Sequence, residues 1–326
     1  MPRPRVHIIA TGGTIAATPS DMLTVHDLLA ALPDLPTIAD ITVEQFGNIG
    51  SSRITPNDWV QMAATVNAAF QTHPGLHGVV ITHGTDTLEE TAYFLHLTVA
   101  HRHPIVVTGS MRRAHTISAD GPANLYQAIR VAACPEAQAY GTVVVMNDEI
   151  HAARSVTKTH TLHLQTFASP IVGTVGTVDG EQIHWHHQPS RSHDTAPPFP
   201  FTSTQVLPRV DIVYSYAGAD DQLIRAVVAA GARGIVVATF GSGRVTEGQE
   251  RAIRQLLKDG MVVVLSSRVG SGHVEANYEN GLAELGAPNQ VILATDLNPQ
   301  KARVLLILAL GQTDDSERIQ EIFTRY

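Results

Sequence analysis

The chain has 326 residues, of which 44% are hydrophobic, 16% charged and 5% aromatic, and it carries a formal net charge of −8. This composition excludes a disordered chain and leaves room for two domains with separate cores. The acidic balance and the lack of any basic run argue against a nucleic-acid partner, because displacing counterions needs clustered Lys and Arg. Uninterrupted apolar runs such as 304–310 are too short to span a bilayer, so no membrane association is expected. Residues 6–10 have a histidine at their second position and run straight into a glycine turn, unlike a secretory leader. The single cysteine, Cys134, has no internal disulfide partner and fits a reducing compartment.

From the N-terminus, short β-branched runs alternate with longer helical patterns, as parallel βαβ units require. Strands are expected at 6–10, 41–46, 78–82, 105–108 and 142–146, most of them apolar enough to be buried on both faces. A helix should begin at Pro56: Thr55 can cap it, proline suits the first helical position and Asp58 complements the dipole. After Val156 the pattern changes, and 171–185 alternates around Gly173, Gly176 and Asp179-Gly180 as a β-hairpin would. The stretch 188–207 holds Pro189, Pro197, Pro198 and Pro200 and is read as a linker between an N-terminal domain, 1–187, and a C-terminal domain, 208–326. Strands resume at 212–216, 234–239, 261–266 and 291–295, followed by a helix over 299–310. The expected fold is therefore α/β, with two parallel-sheet domains, the larger one N-terminal, joined by a Pro-rich linker.

Open parallel sheets gather ligands at the carboxyl ends of their strands, so the residues just after each strand deserve inspection. After the first strand comes Thr11-Gly12-Gly13-Thr14, where two glycines permit close backbone approach and Thr14 presents a hydroxyl. After the third comes His83-Gly84-Thr85-Asp86-Thr87-Leu88-Glu89-Glu90. Its plainer reading is a helix start, since Asp86 and Glu89 have capping-box spacing. Arg154-Ser155-Val156-Thr157-Lys158 adds a lysine, which can serve as base to a neighbouring hydroxyl once it has given up its proton.

Seven blocks in order, covering nearly the whole chain, resemble the bacterial-type L-asparaginase family and most closely its type II branch. They are 11–15, 83–90, Gly109-Ser110-Met111-Arg112, 118–122 with Asn124-Leu125-Tyr126, Val156-Thr157-Lys158, Ser266-Ser267-Arg268 and 297–303. The resemblance implies hydrolysis of L-asparagine to L-aspartate and ammonia, with no metal or organic cofactor. The cysteine usage makes the expected location the cytoplasm, and the low charged fraction together with the family's two-subunit sites makes the expected assembly a homotetramer built as a dimer of dimers. The resemblance also implies Thr14 as nucleophile, with Thr85, Asp86 and Lys158 as a second catalytic group in which Lys158 activates Thr85. Gly13, Ser51, Ser52, Gly84, Thr85 and Asp86 would hold the substrate, Ser51 at its α-carboxylate and Asp86 at its ammonium. Backbone N–H groups around Gly13 and Thr85 would meet the oxyanion, at about 3 kcal/mol per donor.

The chain also departs from the family. Relatives carry a lid with a tyrosine after the first glycine turn, whereas here 16–24 is short and no tyrosine precedes Tyr93. Glu275, Tyr278 and Glu279 are the candidates to reach the site from a partner subunit. Ser52 stands where glutamine is frequent, and Arg244 where a small polar residue is common. These departures leave two alternatives: a broader asparaginase-glutaminase acting also on L-glutamine, or an amino-acid-binding regulator without turnover. His73 and His101 stand where some secreted relatives have a disulfide. The clusters His184-x-His186-His187 and His101-x-His103 lack zinc-site form, so no metal is expected.

Overall fold

Val6, Ile8 and Ala10 alternate along β1 (Arg5–Ala10) with His7 and Ile9, and both sets are buried, the mark of a strand covered on two faces. The computed structural model describes residues 3–16, 24–30, 32, 34–99, 102–189, 197–200, 202–275 and 291–326. On one side β1 pairs in parallel with β2 (Asp40–Gln45), and on the other with β3 (Leu76–Thr82), which continues in parallel to β4 (Ile105–Thr108) and β5 (Thr142–Met146). As the outermost strand of this run, β2 is largely exposed, unlike the others.

The helices of this first unit are α1 (Val25–Ala30), α2 (Leu35–Ile38), α3 (Pro56–Thr72), α4 (Leu88–Thr98) and α5 (Gly121–Ala133). Helix α3 starts as its sequence demands: Thr55 accepts from the Asp58 N–H while Asp58 accepts from the Thr55 N–H, with Pro56 between them. Val6, Ile8, Val80, Val106 and Val143 form one core with Leu125, Ala128, Ile129 and Ala132 of α5. The alternate residues Val79, Ile81 and Val107 are also buried and lie on the opposite face of the sheet.

The expected all-parallel sheet ends at β5. Asn147 and Asp148 both adopt left-handed φ, 52° and 67°, and return the chain in a two-residue loop to β6 (Glu149–Ala152). So short a loop can only join antiparallel neighbours, since a parallel pair needs a long crossover. A separate ribbon of β7 (Thr157–Lys158) and β8 (Phe167–Ala168) follows. The hairpin of β9 (Gly176–Asp179) and β10 (Gln182–Trp185) then extends the sheet beyond β6, giving the mixed order β10-β9-β6-β5-β4-β3-β1-β2. Within the Pro-rich stretch, the Phe199 N–H is bonded to the Leu97 carbonyl and Gln61 Nε2 to the Ser203 carbonyl, so these residues lie on the first unit.

The chain divides into two compact units, Met1–Gln205 and Val206–Tyr326. In the second, β11 (Val210–Tyr214), β12 (Gly234–Thr239), β13 (Val262–Ser267) and β14 (Ile292–Leu293) are parallel in sequence order. Helices α6 (Gln222–Ala229) and α7 (Glu247–Lys258) supply Ile224, Ala252, Ile253 and Leu257 to the core that includes Val237 and Val263. Helix α8 (Pro299–Leu310) buries every residue from Val304 to Ala309, and α9 (Ser316–Arg325) ends the chain. Among the described residues no helix is long and apolar enough to cross a membrane.

Gly78 sits where β3 passes α5, and a Cβ there would collide with the Ala132 carbonyl. Gly78→Ala is expected to destabilise the protein by about 1–3 kcal/mol, the usual penalty for overpacking. Urea denaturation checks this as a lower midpoint at unchanged slope.

Candidate active site

Neighbouring strands β1 and β3 are not joined directly: the chain leaves β1 for β2 on one side and returns to β3 on the other. At such a reversal the connections diverge, and the crevice outside the carboxyl ends of the two strands is where open α/β sheets hold ligands. The segments that leave β1 and β3 there are 11–14 and 83–86.

Thr11 stays attached to its neighbour, its N–H and Oγ1 both bonded to the Thr82 carbonyl at 3.2 and 2.8 Å. Gly12 and Gly13 then take φ values of 103° and 91°, which L side chains rarely adopt. At Gly13 space is as tight as conformation: a Cβ would stand 2.6 Å from the Gly84 nitrogen. The short helical turn Thr14–Ala16 follows, anchored by Ile15, which is 1% exposed, and leaving Thr14 half-buried.

A third segment enters from the turn Ser51–Arg53. Ser51 is buried, its Oγ accepts the Asp86 N–H at 3.1 Å and its carbonyl accepts from Thr87 Oγ1 at 2.8 Å. Having accepted one hydrogen bond, that hydroxyl still has its own proton to donate to an anionic group. A Cβ on Gly84 would lie 2.6 Å from Ser51 Oγ, so this approach also needs glycine. Ser52 is exposed.

Lys158 arrives from β7. Its Nζ is 2.9 Å from Thr85 Oγ1 and 3.1 Å from Asp86 Oδ1, with the lysine side chain 21% and the aspartate 62% exposed. A cavity of about 380 Å³ opens beside this pair, lined by Asp86, Lys158, Thr159, His160 and Thr161, and is large enough for an amino-acid-sized ligand. The capping-box reading of Asp86 and Glu89 does not hold: Thr87 precedes α4 without a side-chain cap, and Glu89 Oε2 instead accepts the Lys158 main-chain N–H at 2.7 Å. That bond joins residues far apart in sequence, and helix-start spacing gives no hint of it.

In the sequence His83 is only part of a motif, but in the fold it organises the interior behind the loop. Its Nδ1 lies 2.7 Å from the Gly84 carbonyl and its Nε2 3.0 Å from Thr91 Oγ1, which is in turn 3.0 Å from Trp59 Nε1. A carbonyl only accepts, so Nδ1 carries the proton, and Nε2 accepts from the Thr91 hydroxyl as that hydroxyl accepts from the indole. Every donor in this chain is matched while the imidazole is neutral. Complete burial pulls His83 down to about 4, against the opposing pull of the Gly84 carbonyl and the Asp86 charge.

Of the three residues considered as contributors from a partner subunit, Glu275 is exposed and its N–H is bonded to the Ser242 carbonyl at 3.0 Å. Tyr278 and Glu279 lie outside the described residues, as do 17–23 of the segment after Thr14. Among the described residues no three His, Cys, Asp or Glu side chains converge as a metal site would require.

The depressed His83 value gives stability a definite pH dependence. An unfolded chain binds this proton near 6.5 and the folded one near 4, so the contribution is complete above pH 6.5 and shrinks as pH falls towards 4. The loss from this residue is about 3 kcal/mol, taking 1.36 kcal/mol per unit. His83→Asn, which keeps an N–H for Gly84 but cannot titrate, is expected to flatten that part of the profile. Denaturation of both proteins between pH 4 and 7 reads the difference directly.

The same chain matches known proteins from end to end. Residues 5–191 match the asparaginase N-terminal family model and residues 209–323 the glutaminase/asparaginase C-terminal domain. L-asparaginase 2 of Bacillus subtilis (strain 168) is 42% identical, with 99% of this chain and 87% of that protein aligned. The glutaminase-asparaginase of Pseudomonas fluorescens biotype A is 38% identical, over 98% and 90% of the two. A crystal structure of a probable cytoplasmic L-asparaginase from Campylobacter jejuni superposes with a TM-score of 0.93 at 42% identity, covering 99% of this chain and all of that one. With both domain models matched and these relatives aligned along nearly their whole length, the chain belongs to the asparaginase family.

Proposed function

We propose that this protein is an L-asparagine amidohydrolase that works through a threonine acyl-enzyme, and that Thr14 is the nucleophile. Its hydroxyl attacks the side-chain carbonyl carbon, ammonia departs as the C–N bond breaks, and water then cleaves the ester to release L-aspartate. N–H groups around Gly13 and Thr85 receive the negative charge on the carbonyl oxygen. Ser51 donates its proton to the substrate α-carboxylate, while Ser52 and Gly84 border it and Asp86 holds the ammonium.

The observation that carries this reading is the contact of Lys158 Nζ with Thr85 Oγ1 at 2.9 Å and Asp86 Oδ1 at 3.1 Å. A neutral amine there accepts the Thr85 proton while still donating to Asp86, so Thr85 becomes able to draw a proton from water or from the attacking group. No cofactor takes part. The fact that relatives are named both L-asparaginase and glutaminase-asparaginase supports activity on L-glutamine as a second reading, with Ser52 and the short 16–24 segment as the relevant differences.

The reading extends to a homotetramer whose sites draw on a partner's Glu275, Tyr278 or Glu279. The low charged fraction supports it, as do Ile117 and Leu162 at 96% and 77% exposure. A cytoplasmic location is supported by the single cysteine, and 188–207 is taken as the linker because the two family-model matches leave 192–208 between them.

Ammonia release from L-asparagine and L-glutamine tests the chemistry. Thr14→Ala, Thr85→Val and Lys158→Met are each expected to lose several powers of ten in turnover at unchanged melting temperature. More than a tenth of wild-type turnover in any variant removes that residue from its role. A wild-type protein that is stabilised by L-aspartate but releases no ammonia is a binding protein instead. Light scattering at micromolar concentration is expected to give four times the chain mass, and a monomer overturns the assembly.

A further inference from the structure

Lys158 belongs to a strand of two residues whose ribbon partner, β8, is equally short. A ribbon that small has little rigidity of its own. Its main-chain N–H is not used between the two strands but is taken by Glu89 Oε2 at 2.7 Å. Glu89 is in the first turn of α4 and only 3% exposed, so its charge has been taken almost wholly out of water. Burying a carboxylate is costly unless it accepts strong hydrogen bonds, and the N-terminal turn of a helix is where backbone dipoles best offset it.

Both ends of Lys158 are therefore tied to one short segment. The amine meets Thr85 and Asp86, and the backbone nitrogen meets Glu89, in the helical turn that those two residues lead into. We infer that Glu89 is a positioning residue for Lys158, setting the distance between the amine and the Thr85 hydroxyl by holding the lysine backbone against α4. The inference rests on reading Lys158 as the base for Thr85. The bond from Glu89 is to the Lys158 backbone and not to the reacting atoms, so through it Glu89 acts on the rate of the chemical step and not on the grip on substrate.

Glu89→Gln and Glu89→Met have nearly the length of the native side chain, and only Gln keeps an oxygen to accept the Lys158 N–H. With ammonia release as the assay, Glu89→Gln is expected to keep most of the wild-type kcat. Glu89→Met is expected to lose on the order of 10²-fold in kcat, the scale of a misplacement near 1 Å, at unchanged KM for L-asparagine. Should Glu89→Met not fold, Glu89→Asp serves: it keeps charge and acceptor but shortens the arm by one methylene, and its kcat must fall with KM unchanged. Wild-type kcat in Glu89→Met, or in Glu89→Asp when that variant is needed, overturns the inference. So do equal losses in the Gln and Met variants accompanied by a lowered melting temperature, which mark a purely structural charge. Lys158→Met, run beside them, separates the two levels: if it is inactive while Glu89→Met is not, only the role of Glu89 falls. If Lys158→Met keeps turnover, the reading of Lys158 fails and takes this inference with it.

Discussion

Gly13 and Gly84 touch backbone to backbone, and the arrangement of the site depends on that contact. Adjacent strands in a sheet lie less than 5 Å apart, so segments leaving neighbouring strands at the same end have no room for side chains between them. A Cβ on Gly13 would stand 2.6 Å from the Gly84 nitrogen, and one on Gly84 would stand 2.6 Å from Ser51 Oγ. Because both positions are glycine, three segments distant in sequence converge and can turn their hydroxyls and N–H groups towards one crevice.

Behind the crevice the polar groups are buried and matched, which keeps the loops from relaxing. Trp59, Thr91 and His83 pass a single line of hydrogen bonds to the Gly84 carbonyl. Beside them Asp120 accepts from the N–H groups of Met111 and Arg112 at 2.9 and 2.8 Å, and Asn124 Nδ2 donates to the Gly109 carbonyl at 3.0 Å. A Cβ on Gly109 would collide with the His83 carbonyl, so this second brace packs directly against the first. In a low-dielectric interior such bonds are strong when complete and costly when broken, which suits them to hold a loop in one conformation. The sequence blocks 109–112 and 118–126 thus act at one remove from the crevice.

The cluster of Lys158, Thr85 and Asp86 sits at the boundary with solvent. The 62% exposure of the Asp86 side chain screens its pairing with Lys158, so the ion pair adds little to stability. Its value lies in geometry, with Thr85 fully packed on one side of the amine and Asp86 in water on the other. Buried partners on the main chain, Ser51 at the Asp86 N–H and Glu89 at the Lys158 N–H, supply the rigidity that a half-exposed pair lacks.

Much of this protein was determined by local sequence. The alternation of β-branched runs with helical patterns locates β4, β5, β12 and α8 at their observed limits, because hydrophobic periodicity and caps act within a few residues. Thr14 and Thr85 stand out for the same reason, since strand ends and glycine turns are local signals, whereas Lys158 stands out only as a lysine in a chain that has few. Strand β6 is missed because its turn is Asn147-Asp148 without a glycine, and both residues take left-handed φ only within the paired sheet. The reversal of strand order at β1 and β3, the neutral His83 and the Glu89–Lys158 bond belong to the tertiary structure alone. Each depends on which segments the fold makes neighbours across tens of residues, and burial then decides which polar groups must find one another.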